Sequence, residues 1–226
     1  MFRLNNLSLD YGKKPILSNI NLEITEGEVV AIVGESASGK STLMSHLYHL
    51  KKAQVALCPQ EPNLVPSLSA FHNIYAGSLN EHNFFYNLRN LIHPYSSEYE
   101  KVAAIAAKLD LKDALKLSVD QLSGGQQQRI NIARAMIQKH SAFLGDEPVS
   151  AQDDFHKIKI IKTIISQFST CVFVLHDLDI ALSCCQRVIG IAKGKIIFDE
   201  PVATITKEQL TQVYSHHQLA FNNKLT

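Results

Sequence analysis

Gly34-Glu35-Ser36-Ala37-Ser38-Gly39-Lys40-Ser41 follows directly on the apolar run Val29-Val30-Ala31-Ile32-Val33. This G-x-x-x-x-G-K-[ST] spacing is that of a loop that cradles an oligophosphate. Gly34 and Gly39 allow torsions that turn successive backbone N–H groups inward. Lys40 is placed to reach β- and γ-phosphates, and the Ser41 hydroxyl to sit on Mg²⁺. A second glycine turn, Leu122-Ser123-Gly124-Gly125-Gln126, stands ahead of a helix-like stretch from Gln127 to Gln138. It carries no lysine, so the two turns are not copies of one site. An oligophosphate must be brought against both.

Phe143-Leu144-Gly145-Asp146-Glu147-Pro148 places two carboxylates at the end of a strand-like run. Successive strand residues point to opposite sides, so the pair need not share a task. Asp146 suits a Mg²⁺ contact, and Glu147 suits a base that polarises an attacking water. Taken alone, the pair also reads, though less well, as an acidic cap on the next helix. Alongside the lysine loop the chemical reading is preferred. His176, at the end of Cys171-Val172-Phe173-Val174-Leu175, reads by itself as a locally satisfied strand-end histidine.

These groups need a scaffold to place them. Phe2 to Asp10 and Ile20 to Ile24 alternate apolar and polar residues, as half-buried strands do. Val29 to Val33, Val55 to Cys58, Ala142 to Leu144 and Cys171 to Leu175 are short apolar runs that read as buried strands. Gly39 to Leu50 is expected to be a helix starting at the phosphate loop, and Asp154 to Phe168 an amphipathic one. Val188 to Ala192 and Lys195 to Phe198 read as a hairpin about Lys193-Gly194, with a last helix over Lys207 to Tyr214. Strand signals vanish between Ser67 and Ser118, where Val102 to Leu109 is rich in strong helix formers. A helical subdomain inserted into an α/β core is the expectation.

Composition narrows the class. The chain has 226 residues, 46% hydrophobic and 19% charged, as in an ordinary globular protein. Its formal net charge of +1 argues against affinity built on neutralising nucleic-acid phosphates. No apolar run approaches the roughly 18 residues of a membrane helix, and Met1 to Tyr11 has no signal-peptide core. A cytoplasmic location is expected, with any membrane role needing a spanning partner. Cys58, Cys171, Cys184 and Cys185 form no C-x-x-C pair and read as packing residues. His216-His217 reads as part of a solvated tail rather than a metal-ligand pair.

Taken together, these motifs resemble the nucleotide-binding subunit of an ABC transporter, along nearly the whole chain. Leu122 to Gln126 matches the signature sequence that separates this family from other phosphate-loop NTPases. The resemblance implies an α/β P-loop NTPase core of ABC ATPase type, with an antiparallel β subdomain and an inserted α-helical subdomain. The single ATPase domain would span 1–226, with the core in 1–66 and 139–226 and the helical part in about 67–138.

It implies ATP and Mg²⁺, with Tyr11 stacking on adenine and Gly34, Glu35, Ser36, Ala37, Ser38, Gly39, Lys40, Ser41 and Thr42 around the nucleotide. Ser41, Gln60 and Asp146 would serve Mg²⁺; Glu147, His176 and Lys40 would be catalytic, His176 as the switch histidine. Ser123, Gly124, Gly125 and Gln126 would act in trans, on a nucleotide held by a second copy packed head to tail.

Two departures from the family pattern stand out. Only twenty positions separate Lys40 from Gln60, so the β subdomain is expected to be trimmed there. The D-loop, Ser150-Ala151-Gln152-Asp153, has Gln152 where Leu is usual. Gly145 is also smaller than the usual residue, with no functional account.

Text similarity is greatest to the phosphonate-type import ATPases, from Asp120 to Arg134, Asp146 to Ser150, Leu175 to Ala181 and Gly194 to Pro201. It implies membrane permease subunits and a periplasmic or surface binding protein as partners, no nucleic acid, and a place on the inner face of the cell membrane. An exporter or lipoprotein-release ATPase shares every catalytic motif and stays open, as does, with less support, a soluble ABC ATPase acting on nucleic acid.

Overall fold

The computed structural model describes residues 1–12 and 14–214, with the side chains of Tyr11 and Lys14 left aside. Along the chain, strands β1 (Phe2–Tyr11), β2 (Lys14–Ile24) and β3 (Val29–Val33) lead into helix α1 (Lys40–Lys51). Strand β4 (Val55–Cys58) precedes helices α2 (Ala70–Tyr75), α3 (Phe84–Ile92), α4 (Ser96–Lys108) and α5 (Gly124–Met136). Strand β5 (Ala142–Asp146), helix α6 (Asp154–Ile165), strand β6 (Thr170–Val174) and helix α7 (Leu178–Cys184) follow. Strands β7 (Arg187–Ala192) and β8 (Lys195–Pro201) and helix α8 (Lys207–Val213) complete the described chain.

Two compact units divide it: Met1–Lys52 with the described residues from Ser169 on, and Ala53–Phe168. In the first, β3 runs parallel to β6 on one side and to β7 on the other, and β8 closes antiparallel on β7. β3 and β6 are buried at every position, which is why both read as unbroken apolar runs rather than alternating ones. The β7–β8 pairing passes Gly190 beneath the Phe198 ring; a Cβ there would meet that ring at 2.3 Å.

β1 and β2 make a separate antiparallel pair. Both are longer than, or begin earlier than, the alternation in the sequence indicates, and the reason is a slip of phase. Buried Phe2 and Leu4 are followed by half-buried Leu7 and Leu9, and buried Leu17 by Ile20, Leu22 and Ile24. The odd steps fall at Asn6 and Asn19, both with left-handed φ, 51° and 54°. Such bulges add a residue and reset which face the next side chains take. Each is satisfied across the pair, Asn6 N donating to Asn21 Oδ1 at 2.9 Å and Asn19 N to Ser8 Oγ at 3.1 Å.

The second unit pairs β4 parallel to β5 and carries the helices α2 to α6. Between Lys40 and β4 lie only α1 and one short 3₁₀ turn, with no added strand. The helical stretch expected from the sequence lies within this unit. Gly77 packs there with no room for a Cβ, which would lie 2.1 Å from the Arg134 carbonyl oxygen.

Candidate functional site

The Gly34–Ser41 loop connects the buried end of β3 to α1, and its two glycines are required by their neighbours. A Cβ on Gly34 would lie 2.2 Å from the Ile191 carbonyl oxygen on β7. One on Gly39, whose φ is 106°, would lie 2.6 Å from Leu17 Cδ2. The loop is tied down from outside by Gly194 in the β7–β8 turn, which donates to Ser38 O at 3.1 Å while accepting from Ser18 N at 2.8 Å.

Lys40 is buried, and its ammonium donates to Gly34 O at 2.8 Å and Glu35 O at 2.7 Å. The charge therefore rests against two carbonyl oxygens of its own loop rather than reaching into solvent. Helix α1 has Gly39 as its N-cap and no side-chain cap, leaving first-turn N–H groups facing out of the helix end. Ser38 Oγ is buried in the same loop without a hydrogen-bond partner. Uncapped amides, an unpartnered hydroxyl and a buried ammonium together form an anion cradle. Ser41 and Thr42 stand in the first turn, and with Leu9, Ser45, His46 and His49 they line an open depression of about 460 Å³.

His176 is exposed on the bend between β6 and α7. The next residue, Asp177, caps α7 by accepting from Asp179 N at 3.1 Å and Ile180 N at 3.2 Å. Tyr11 ends β1, but its side chain is outside the described residues, as are His216 and His217.

In the second unit the expected helix start is corrected. Helix α5 begins at Gly124 rather than Gln127, so both signature glycines belong to its first turn. Ser123 is the N-cap: Ser123 Oγ accepts from Gln126 N at 3.3 Å, and Gln126 Oε1 accepts from Ser123 N at 2.9 Å. That reciprocal box stabilises a helix start whose two glycines would otherwise disfavour it. Nothing lies within 4 Å of a Cβ built on Gly124, so that glycine faces open space.

Asp146 ends β5 and is buried, and Glu147 follows in the left-handed region with φ 52°. A glutamate held there costs backbone energy that its surroundings must supply. Gln128 on α5 supplies part of it. Its Nε2 donates to Glu147 O at 3.2 Å and to Ser150 Oγ at 2.9 Å, and its Oε1 accepts from Ala151 N at 3.0 Å.

Gln60 is exposed in the bend after β4. The residues around it are fastened to α5: Asn131 Nδ2 donates to Pro59 O at 2.8 Å, and Arg134 donates to Pro62 O and to Asn63 O. Cys58, at the strand end, is wholly buried, and burial pushes its thiol up to about 12.

Residues 17–150 match the family described as ABC transporter. This chain belongs to the ABC transporter family. The cassette is an ATPase of that family. It is 34% identical over 232 residues to the phosphonates import ATP-binding protein PhnC of Pseudomonas fluorescens, covering 90% of this chain and 87% of the relative. The protein of the same name from Pseudomonas putida is 34% identical over 247 residues, covering 96% and 91%. Among solved structures it is similar to the ATP-binding cassette MJ0796 in its dimeric post-hydrolysis state bound to ADP and Pi. The identity there is 26%, the TM-score 0.72, and the coverage 88% of this chain and 98% of the other.

Two contributors to the cassette's site were missed in the sequence. Gln128 looks like one more polar residue of a helix, yet it is buried. Tyr214 lies 180 positions from Gly34, and its hydroxyl accepts that residue's N–H at 3.2 Å. Gln128 had a detectable signal, a glutamine in phase with buried Ile132 and Ala135; Tyr214 had none.

Proposed function

We propose that the cassette binds ATP on the Gly34–Ser41 loop, hydrolyses it with Glu147 as base, and drives import through separate membrane-spanning subunits. The observation that carries this reading is the loop itself, which holds a buried ammonium, an uncapped helix start and an unpartnered hydroxyl within eight residues. A triphosphate satisfies all three, and Lys40 exchanges the Gly34 and Glu35 carbonyls for phosphate oxygens. The Leu9–His49 depression leaves room for the nucleoside, with Tyr11 as its stacking partner.

Ser41, Gln60 and Asp146 offer the hard oxygen donors that Mg²⁺ takes. Bound there, the ion would neutralise charge on the phosphate oxygens. Glu147 accepts a proton from water as its oxygen attacks the γ-phosphorus, and the bond to the β–γ bridging oxygen breaks to give ADP and phosphate. His176 orients the γ-phosphate. Ser123, Gly124, Gly125 and Gln126 close over the γ-phosphate of a second copy's nucleotide, using the first-turn amides of α5 as an anion site.

Transmission to the membrane falls to the second unit. Leu68, Tyr75, Leu79, Phe84, Leu88 and Leu91 line an apolar groove of about 250 Å³ between α2 and α3. Phe84, Phe85 and Ile92 are 71%, 80% and 79% exposed, an apolar surface that suits a permease segment. Among the described residues no helix is long and apolar enough to cross a membrane. In this proposal the spanning part belongs to partner subunits, with the cassette on their cytoplasmic face. The relatives' names, phosphonates import ATP-binding proteins, support import and a phosphonate-type cargo; a phosphate-ester cargo and a partner binding protein belong to the proposal alone.

The test is Glu147→Gln. ATP is expected to hold this variant as a persistent dimer, seen by gel filtration with light scattering, because turnover stops. Monomers carrying bound ATP overturn the shared-nucleotide reading. Near-normal turnover by Lys40→Ala rejects the assigned loop.

A further inference from the structure

We propose that Tyr214 is a positioning residue of the phosphate loop, its hydroxyl holding the Gly34 amide in place while Lys40 releases the loop to engage a nucleotide. The inference rests on the nucleotide reading of that loop. Gly34 is gripped at both its backbone groups: its N–H donates to the Tyr214 hydroxyl at 3.2 Å, and its carbonyl accepts from Lys40 Nζ at 2.8 Å. The second grip has to be given up when the ammonium moves to phosphate. The first need not be.

The tyrosine is held firmly enough for this work. It follows α8, whose start carries a capping box between Thr206 and Gln209 and whose Leu210 and Val213 are buried. Its own N–H donates to Leu210 O at 3.2 Å, and only 5% of the residue is exposed. Burial pushes its phenol up to about 12, so the hydroxyl stays protonated and neutral at any working pH. Beside it, Glu35, Ser36, Ala37, Ser38 and Lys193 line a cavity of about 330 Å³ open to the loop.

A buried amide without an acceptor disfavours the conformation that buries it. Removing the hydroxyl therefore shifts the loop toward arrangements in which Gly34 N–H finds another partner. Apparent affinity falls by the fraction of loop left in the binding-competent form. Phenylalanine keeps the ring packing and removes the hydrogen bond alone.

The experiment measures binding of a fluorescent ATP analogue, and steady-state ATPase, for the full-length cassette and Tyr214→Phe. Kd and KM are expected to rise on the order of tenfold, with kcat at saturating ATP held within about twofold. A variant with a lowered melting temperature but unchanged Kd and KM overturns the proposal, because that is what packing alone would give. A wild-type protein that binds no nucleotide rejects the nucleotide reading instead. Should Tyr214→Phe fail to fold, amide exchange of Gly34 in the wild type decides: slow exchange with nucleotide bound supports the grip, fast exchange overturns it.

Discussion

Gln152 Nε2 donates to the Gly125 carbonyl oxygen at 2.8 Å, joining the D-loop to the first turn of the signature helix within one chain. The same nitrogen also donates to Gln128 Oε1 at 3.2 Å. A Cβ on Gly125 would lie 3.2 Å from Ala151 O and equally close to Gln152 Nε2, so the glycine permits this close approach. Leucine, usual at position 152 in the family the chain resembles, could make none of these bonds.

Gln152→Leu should therefore loosen the D-loop without unfolding the cassette. Gly125 O also faces Arg129 Nε at 3.4 Å, so its loss of one donor is partly covered. The expected cost is about 0.5–1.5 kcal/mol by urea titration. Amide exchange over Ala151–Asp153 should accelerate; exchange equal to wild type rejects the tie.

Gln128 is a larger target. Its amide donates to the Glu147 and Ser150 oxygens and accepts from Ala151 N, so both ends are committed. Gln128→Glu replaces the donor end with an acceptor facing the Glu147 carbonyl oxygen. About 2–3 kcal/mol of stability should be lost, with ATP turnover falling at least tenfold as Glu147 loses an anchor for its left-handed backbone. Turnover near the wild-type value would show that the anchor does not matter to the role proposed for Glu147.

Arg134 ties the chain after Gln60 to α5 through the Pro62 and Asn63 carbonyls, and its Nη2 also donates to Asn131 Oδ1 at 2.7 Å. A lysine cannot span these three acceptors with one ammonium. Arg134→Lys is expected to cost about 2 kcal/mol and to speed proteolysis between Gln60 and Leu64. Cleavage rates matching wild type would contradict the fastening.

The cysteines supply a pH test. Burial raises the thiols of Cys58 and Cys171 from 9.0 to about 12 and raises Cys185 as well. Each holds its proton in the folded state where the unfolded chain would lose it. Stability from these thiols is thus full below about pH 9 and declines as pH rises toward 12. Iodoacetamide at pH 8 should label half-exposed Cys184 first, and the other three only on unfolding. Rapid labelling of native Cys58 would refute its burial.

Much of this was written in local pattern. Val29–Val33 and Cys171–Leu175 read as buried strands because all their positions are apolar, and the structure buries every one of them. The loop at Gly34–Ser41 was legible because phosphate binding demands glycines and a lysine at fixed separations. Element ends were less so, since a bulge at Asn6 or Asn19 shifts burial phase without changing residue type. Gly124 and Gly125 argued for a turn by propensity, and the Ser123–Gln126 box overrode them.

Sequence alone determined which residue types stand a few positions apart along single strands, turns and helix starts, and so which chemistry to expect. Tertiary structure decided which distant groups hold that chemistry still. Tyr214 meets Gly34 across 180 residues, and Gln128 meets Glu147 across nineteen. Such pairs arise from where strands and helices pack, and one hydroxyl or amide suffices once packing has excluded water; no local pattern of residue types encodes that meeting.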